Sequence, residues 1–442
     1  MNIAFEISPL LLASGSFGDK SGVYRYLTGL ISSIEKINEM KGQKIILFSF
    51  NRNLLLSQVN PCLYELVNNK NFVYLNNFIV ATEEPVVGSF IKKKIFKIIG
   101  LKIIFKIFNK IFGINSFYNY LREKIHEKNY LEFLKTEFKK NSVTHIVHSN
   151  TSFKNIDGFK NIQIIYDLTP TLFPFNHRNE TLDLFRSQIE FAKNHCQGII
   201  SISKSTKKDL FKYYPVFKNK KLKIIYPGCD DNLDNETYSD SYKEISQAMK
   251  IKDQQLVKNN YLIYFGTFEP RKNIIYLVKS FVDLQKEKAI PSDFKLVLIG
   301  GEGWGNIKCM IRNYVDEEFP LASKRNVIIL DFLADRFLYS LVKNAYATVY
   351  PSLYEGFGLP VLESMKLGTP IISSDNSSIP EVGGDAILYS KVNNYFDLKN
   401  KIKVLINDQE LAKDFSKKGL IQSQKFNWKK SGQQFYDFLK YL

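Results

Sequence analysis

"YATVYPSLYEGFGLPVLE", Tyr346 to Glu363, changes character twice. Tyr346 to Tyr350 is an apolar run of strand composition, Gly356 and Gly358 punctuate a turn, and Pro360 opens a stretch that reads as helix. In an open α/β sheet, such strand-to-helix junctions are where ligands bind. Two glutamates bracket the turn. Pro360 suits the first helical position, and Glu363 the first turn, where a carboxylate gains about 0.3 to 1 kcal/mol from the helix dipole. Glu355 precedes the helix among Gly356, Phe357 and Gly358, where a carboxylate beside open backbone amides can accept hydrogen bonds from hydroxyl groups.

Outward from this junction, apolar runs of strand length alternate with helical stretches, the pattern of a parallel α/β architecture. The N-terminal half contains "NIAFEIS", "KIILFSF", "THIVHSN", "IQIIYDL", "GIISIS" and "KLKIIYPG"; the C-terminal half contains "YLIYFG", "FKLVLIG", "NVIILD", "ATVYPS" and "PIISS". Between them, Cys229 to Asn260 is polar and poor in bulky apolar residues, which places a domain boundary there. A chain of 442 residues also exceeds what one core usually supports. The expected fold is therefore α/β, with two doubly wound Rossmann-like domains facing each other across a cleft. Residues 1–240 form the first domain, with a basic amphipathic insertion near 91–113. Residues 241–425 form the second, and a helix within 426–442 packs back on the first.

The composition, 45% hydrophobic and 24% charged, is that of a folded chain, and its net charge of +17 points to polyanionic partners. Cys62, Cys196, Cys229 and Cys309 lack CxxC spacing and read as reduced, buried cysteines. The N-terminus carries no basic residue before its apolar run, and no window approaches a membrane span, so the expected location is cytoplasmic. Ile91 to Gly113 mixes seven lysines with Ile and Phe and contains no acid. It reads either as an interfacial helix on anionic lipid, making the protein peripheral on the inner face of the cell membrane, or as a core helix whose lysines snorkel to water.

Two further loops carry chemistry. Gly15, Gly18 and Gly22 precede a helix predicted from Val23, in a position to let backbone amides approach an anion; the alternative is a flexible loop. In "YLIYFGTFEPRKN", Arg271 and Lys272 fall at a predicted helix start, where the dipole disfavours cations. An anion that offsets them is expected there, the alternative being an exposed basic turn.

Together these segments resemble the retaining, nucleotide-sugar-dependent glycosyltransferases of the GT-B fold, family 4, whose E-x7-E motif is similar to "EGFGLPVLE". The likeness extends through "FGTFEPRKN", "KLVLIGGEGWGN", "GTPIISSDNSSIPEVGGDAILY", "IIYDLTPTLFP", "IISISKSTKKDL" and "IIYPGCD", with an "EPRKN" form like that of mannosyl- and rhamnosyltransferases of bacterial polysaccharide synthesis. The resemblance implies that Glu355 and the backbone of Gly356, Phe357, Gly358 and Leu359 hold the donor sugar, and that Glu363 binds the ribose. It implies that Arg271 and Lys272 neutralise the diphosphate, that Gly18 or Gly22 closes over the phosphates, and that Asp331 marks the nucleobase position. Where many members have His-Asp this chain has Tyr166-Asp167, so Asp167 stays a catalytic candidate and Tyr166 a substitute contact; His177 is an acceptor-side candidate.

The implied reaction moves a hexose, mannose from GDP-mannose being favoured, to a lipid-linked or polysaccharide acceptor. Attack from the front face would retain configuration, with the basic pair stabilising the leaving phosphate. The nucleotide sugar is a co-substrate, and neither a cofactor nor a metal is expected: Asp-x-Asp is absent, and the five histidines form no ligand pattern. Nucleic acid is not an expected partner, and His145 and His148 read as satisfied strand residues. Other readings are a catalytically inactive GT-B scaffold that binds a membrane surface, and a nucleotide-sugar epimerase of the same fold.

Overall fold

The computed structural model of the chain describes residues 1–12, 22–39, 43–50, 72–75, 114–229, 233, 256–319 and 326–442. Gly15, Gly18, Cys62 and the basic stretch Ile91 to Gly113 lie outside these residues.

Two parallel sheets organise the molecule. Strands β1 (Asn2–Glu6), β2 (Ile45–Phe48), β3 (Phe72–Tyr74), β4 (Val143–His148), β5 (Lys160–Ile165), β6 (Cys196–Ser201) and β7 (Lys221–Ile224) form a seven-stranded sheet of order β3-β2-β1-β4-β5-β6-β7. Strands β8 (Tyr261–Phe265), β9 (Lys295–Ile299), β10 (Val327–Leu330), β11 (Ala347–Tyr350), β12 (Ile371–Ser374) and β13 (Leu388–Ser390) form a six-stranded sheet of order β10-β9-β8-β11-β12-β13. Neighbouring strands in both sheets pair in parallel. Parallel pairing needs crossover connections, and helices covering both faces bury the strands. That is why "IILF" of β2 and "YLIYF" of β8 are apolar without alternation and buried at every position. β3 and β13, of three residues each, are too short for such a run to show, and the sequence reading missed both.

The helices are amphipathic toward these sheets. In Ile274–Lys286, Ile274, Leu277, Val278, Phe281 and Val282 recur at helical spacing and are buried. The last helix, Trp428–Tyr441, lies along the helix Gly22–Glu39 of the N-terminal layer, and Phe435 meets Phe5 of β1 with ring centroids 5.7 Å apart. Strand order reverses between β1 and β4 and between β8 and β11, so each sheet has a crevice at the C-terminal ends of those strands.

Two expectations about reactive side chains can be settled here. Cys196 and Cys229 are buried, but Cys309 is exposed on the helix Ile307–Glu318, contrary to the reading of the cysteines as buried. On β4, His145 Nδ1 lies 2.8 Å from Thr144 Oγ1 and His148 Nε2 lies 2.8 Å from Asn161 Oδ1. Burial pushes both imidazoles down to about 4, so they are neutral, but His145 Nε2 and His148 Nδ1 are buried without a hydrogen-bond partner among the described residues, so the expected satisfaction holds at only one nitrogen of each ring. No helix among the described residues is long and apolar enough to cross a membrane.

Candidate active site

The chain leaves β11 at Tyr350 and enters the helix Leu359–Lys366 through the quoted turn. Gly358 has φ of +97°, a left-handed conformation that a side chain would strain. At Gly356 the requirement is space: a Cβ there would sit 2.4 Å from the carbonyl oxygen of Tyr166, so this turn presses directly on the N-terminal domain. Phe357 is buried between Tyr226 and Phe426, at centroid distances of 6.0 and 5.6 Å.

The turn delivers Glu355 to two cations that follow β8. Lys272 Nζ donates to Glu355 Oε1 at 2.6 Å, and Arg271 Nη1 donates to Oε2 at 3.2 Å. Both Lys272 and Glu355 keep only 8% of their side-chain surface exposed. Burial raises the Glu355 pKa, but the charges of Lys272 and then Arg271 outweigh it and hold the carboxyl at about 2. For Lys272, burial and then Arg271 act downward, and the ammonium lies below its ordinary value although Glu355 opposes them. Burial also works against Arg271, yet Glu355, Glu269 and Asp167 hold its pKa above the ordinary value. Lys272 donates as well to the Tyr350 hydroxyl at 2.7 Å, and Tyr350 stacks on Tyr264 at 5.7 Å. Glu269 Oε2 lies 2.9 Å from Arg271 Nε, and burial raises its carboxyl.

This geometry corrects two expectations. Arg271 and Lys272 do not open the helix; they form the turn Pro270–Lys272, separated from the helix Ile274–Lys286 by Asn273 in the left-handed region. Their countercharge is internal: Glu355, read only as an acceptor for ligand hydroxyl groups, supplies it to both, with Glu269 beside Arg271.

Glu363 is also differently placed than expected. With the helix beginning at Leu359, it falls in the second turn, and its partner is a cation of the other domain rather than the helix dipole. Arg25 Nη1, from the helix Gly22–Glu39, donates to Glu363 Oε1, which also accepts from the Tyr339 hydroxyl at 3.2 Å. Glu363 Oε2 is buried with no partner among the described residues. Gly22 starts the same helix close to Leu359: a Cβ on Gly22 would lie 3.9 Å from the Leu359 side chain.

Of the remaining candidates, Asp167 and His177 lie close enough to Arg271 to interact with its charge. Asp167 Oδ1 accepts from the backbone amide and hydroxyl of Thr169, at 2.9 and 2.7 Å, and its charge acts on Arg271. Tyr166 turns its ring into the N-terminal core, where its hydroxyl lies 2.9 Å from Ser149 Oγ and its ring meets Tyr26 edge-on. The carbonyl of Tyr166, not its phenol, therefore approaches the turn at Gly356. His177 faces Trp304 across the cleft at 5.5 Å between ring centroids, and burial lowers its pKa. Asp331 follows β10, the edge strand two positions from β8. Its side chain is 86% exposed, and it accepts from Lys308 at 2.6 Å, a bond that lowers its pKa.

Sequence reasoning missed Arg25, Glu269, Tyr339, Trp304 and Glu381. Arg25 carried a usable signal, a cation in the first helical turn after a glycine loop, the same argument applied to Arg271. Glu381, in the helix Ile379–Gly383, accepts from the backbone amides of Lys204 and Ser205 at 2.9 and 3.0 Å and from the Tyr226 hydroxyl at 3.0 Å, joining the domains.

Comparison with known proteins agrees with this architecture. Residues 217–421 match the family model described as glycosyl transferases group 1. The O-antigen chain mannosyltransferase B of Escherichia coli is 32% identical over 196 residues, 43% of this chain and 49% of that protein. The chain thus spans about half the length of this curated relative. Among solved structures, sucrose-phosphate synthase from Thermosynechococcus elongatus superposes with a TM-score of 0.64 at 16% identity, covering 100% of this chain and 98% of that one. HepE of Anabaena, in complex with UDP and glucose, gives 0.59 at 15% identity, with 100% of both chains covered. These likenesses establish the fold, which is that of GT-B glycosyltransferases.

Proposed function

We propose, from the match of residues 217–421 to group 1 glycosyl transferases, that this chain transfers a hexose from a nucleotide sugar, GDP-mannose being favoured, to a glycan or lipid-linked acceptor. The observation that carries the reading is the ionised Glu355 enclosed with Lys272 and Arg271 at the β8/β11 crevice. Departure of a nucleoside diphosphate concentrates negative charge on the leaving oxygen. Fixed cations in a water-poor site stabilise that charge without reorganising. Glu355 holds both cations in place before the donor arrives and offers carboxylate oxygens to the sugar's hydroxyl groups. Transfer with retained configuration follows if the acceptor attacks from the face the diphosphate leaves, with that phosphate taking the acceptor's proton.

The donor occupies the C-terminal domain in this reading and the acceptor approaches from the N-terminal one, where His177 and Asp167 stand opposite Arg271. The lysines of Ile91 to Gly113 suit an acceptor held at an anionic membrane surface. The similarity to an O-antigen mannosyltransferase supports mannose and a polysaccharide product. The test is release of nucleoside diphosphate from GDP-mannose, and from UDP-glucose as control, in the presence of extracted bacterial lipid-linked oligosaccharides. Lys272→Ala is expected to slow release by about 10²- to 10³-fold, the scale of losing one charge-stabilising group. Transfer that survives both Lys272→Ala and Glu355→Ala would remove the site assignment.

A further inference from the structure

We propose that Arg25 is a donor-site residue supplied by the N-terminal domain, one that orients Glu363 so that its second oxygen meets the nucleotide ribose. The inference rests on the reading of the chain as a nucleotide-sugar glycosyltransferase. Its structural basis is the unequal treatment of the two oxygens of one carboxylate. Oε1 accepts from Arg25 Nη1 and from the Tyr339 hydroxyl, whereas Oε2 is enclosed and has no partner among the described residues. The Glu363 side chain is 6% exposed, and a buried carboxylate oxygen without a donor is costly. A ligand hydroxyl that donates to Oε2 removes that cost, and a ribose presents two adjacent hydroxyls.

Arg25 is placed to set the direction in which that oxygen points. The same Nη1 lies 2.9 Å from the Tyr339 hydroxyl, so guanidinium, phenol and carboxylate close a three-membered set of contacts. Nη2 lies 3.9 Å from Asp335, which limits rotation of the planar guanidinium. Glu363, Tyr339 and Asp335 belong to the C-terminal domain, and Arg25 alone comes from the N-terminal one. The position of Arg25, in a first helical turn where the dipole disfavours a cation, is compensated by this carboxylate from across the cleft. Ribose recognition is then sensitive to the approach of the two domains, because one oxygen of Glu363 binds the domain and the other binds the ligand.

The experiment compares dissociation constants of GDP, 2′-deoxy-GDP, UDP and 2′-deoxy-UDP, by calorimetry, for the full chain and for Arg25→Ala and Arg25→Lys. A hydrogen bond to a charged group corresponds to roughly tenfold or more in affinity, so the full chain is expected to favour the ribonucleotide by about that factor. In Arg25→Ala the preference should fall to about threefold or less, on the scale of a misdirected hydrogen bond, with the 2′-deoxy nucleotide affected little. Arg25→Lys, which keeps the charge but loses the fork, should fall between. A merely structural arginine would weaken both nucleotides equally and leave their ratio intact. Ratios unchanged in both variants overturn the inference alone, as does a chain that binds nucleotides without preferring ribose. A chain that binds none of the four overturns the glycosyltransferase reading and the inference with it.

Discussion

The two sheets each bury a carboxylate at the crevice where strand order reverses, and the two carboxylates behave oppositely. Glu6 ends β1 and is fully enclosed; it accepts from the Ser8 amide at 3.1 Å, from the Ser8 hydroxyl and from the Thr151 hydroxyl at 3.3 Å. Burial drives its carboxyl up to about 7 despite those bonds. Glu355, in the other crevice, is held at about 2 because Lys272 and Arg271 follow the neighbouring strand. The topology therefore fixes where a ligand crevice lies, and a few residues after one strand fix its charge. One crevice holds two fixed cations with their carboxylate countercharge, and the other a buried carboxyl among hydroxyl donors.

The strongest test of this contrast removes the countercharge. Glu355→Gln leaves Lys272 and Arg271 with only the more weakly placed Glu269 and Asp167, and breaking a buried pair costs about 3 to 5 kcal/mol. Denaturant unfolding should show that loss, together with nearly complete loss of sugar transfer. Adding Lys272→Met removes the unpaired ammonium, so the double variant should regain much of the stability and none of the activity. If Glu355→Gln unfolds at the wild-type denaturant concentration, the cations do not depend on the carboxylate and the contrast with Glu6 loses its cause.

The legibility of these features in the sequence follows from whether they are local. Apolar runs such as "YLIYF" showed the parallel sheets because two-sided burial leaves no alternation, whereas β3 and β13 are too short to register. Glu355, Arg271 and Lys272 were each singled out by an unusual position at a helix entrance. Their union was not legible, because Lys272 and Glu355 are 83 residues apart and meet only when β8 and β11 pair. The first-turn placement of Glu363 failed because the helix begins at Leu359, before Pro360. Arg25 was legible as a cation in a first helical turn, but its pairing was not, because Glu363 lies in the other domain.

Glu6 offers the complementary test. Below about pH 4.5 its carboxyl is protonated in both folded and unfolded chains. Between about 4.5 and 7 the unfolded chain ionises while the folded one keeps its proton, so stability falls as pH rises through that window. Glu6→Gln abolishes this dependence. It should match the wild type near pH 4 and exceed it above pH 7 by about 3 kcal/mol or less, an upper figure set by the size of the displacement. A variant less stable than wild type at pH 8 would mean that the Glu6 charge is needed, and the two crevices would then be alike.

The smallest effect concerns how the two crevices are kept face to face. Glu381 accepts from the first amides of the helix Lys204–Tyr213 and from the Tyr226 hydroxyl, so a C-terminal-domain carboxylate caps an N-terminal-domain helix. Ser203 already accepts from the Thr206 amide at 2.9 Å, and water can reach the Lys204 amide, so the helix keeps part of its capping without Glu381. Glu381→Ala should therefore cost about 1 kcal/mol or less in unfolding free energy, the ordinary scale for one cap. Its main consequence should fall on domain approach. Small-angle scattering is expected to give a larger radius of gyration than wild type without nucleotide, and transfer kinetics a higher donor KM with kcat little changed, because Glu355, Lys272 and Arg271 do not touch this contact. A stability loss as large as that of Glu355→Gln would mean that the interface, and not the charge within one crevice, dominates the energetics of the site.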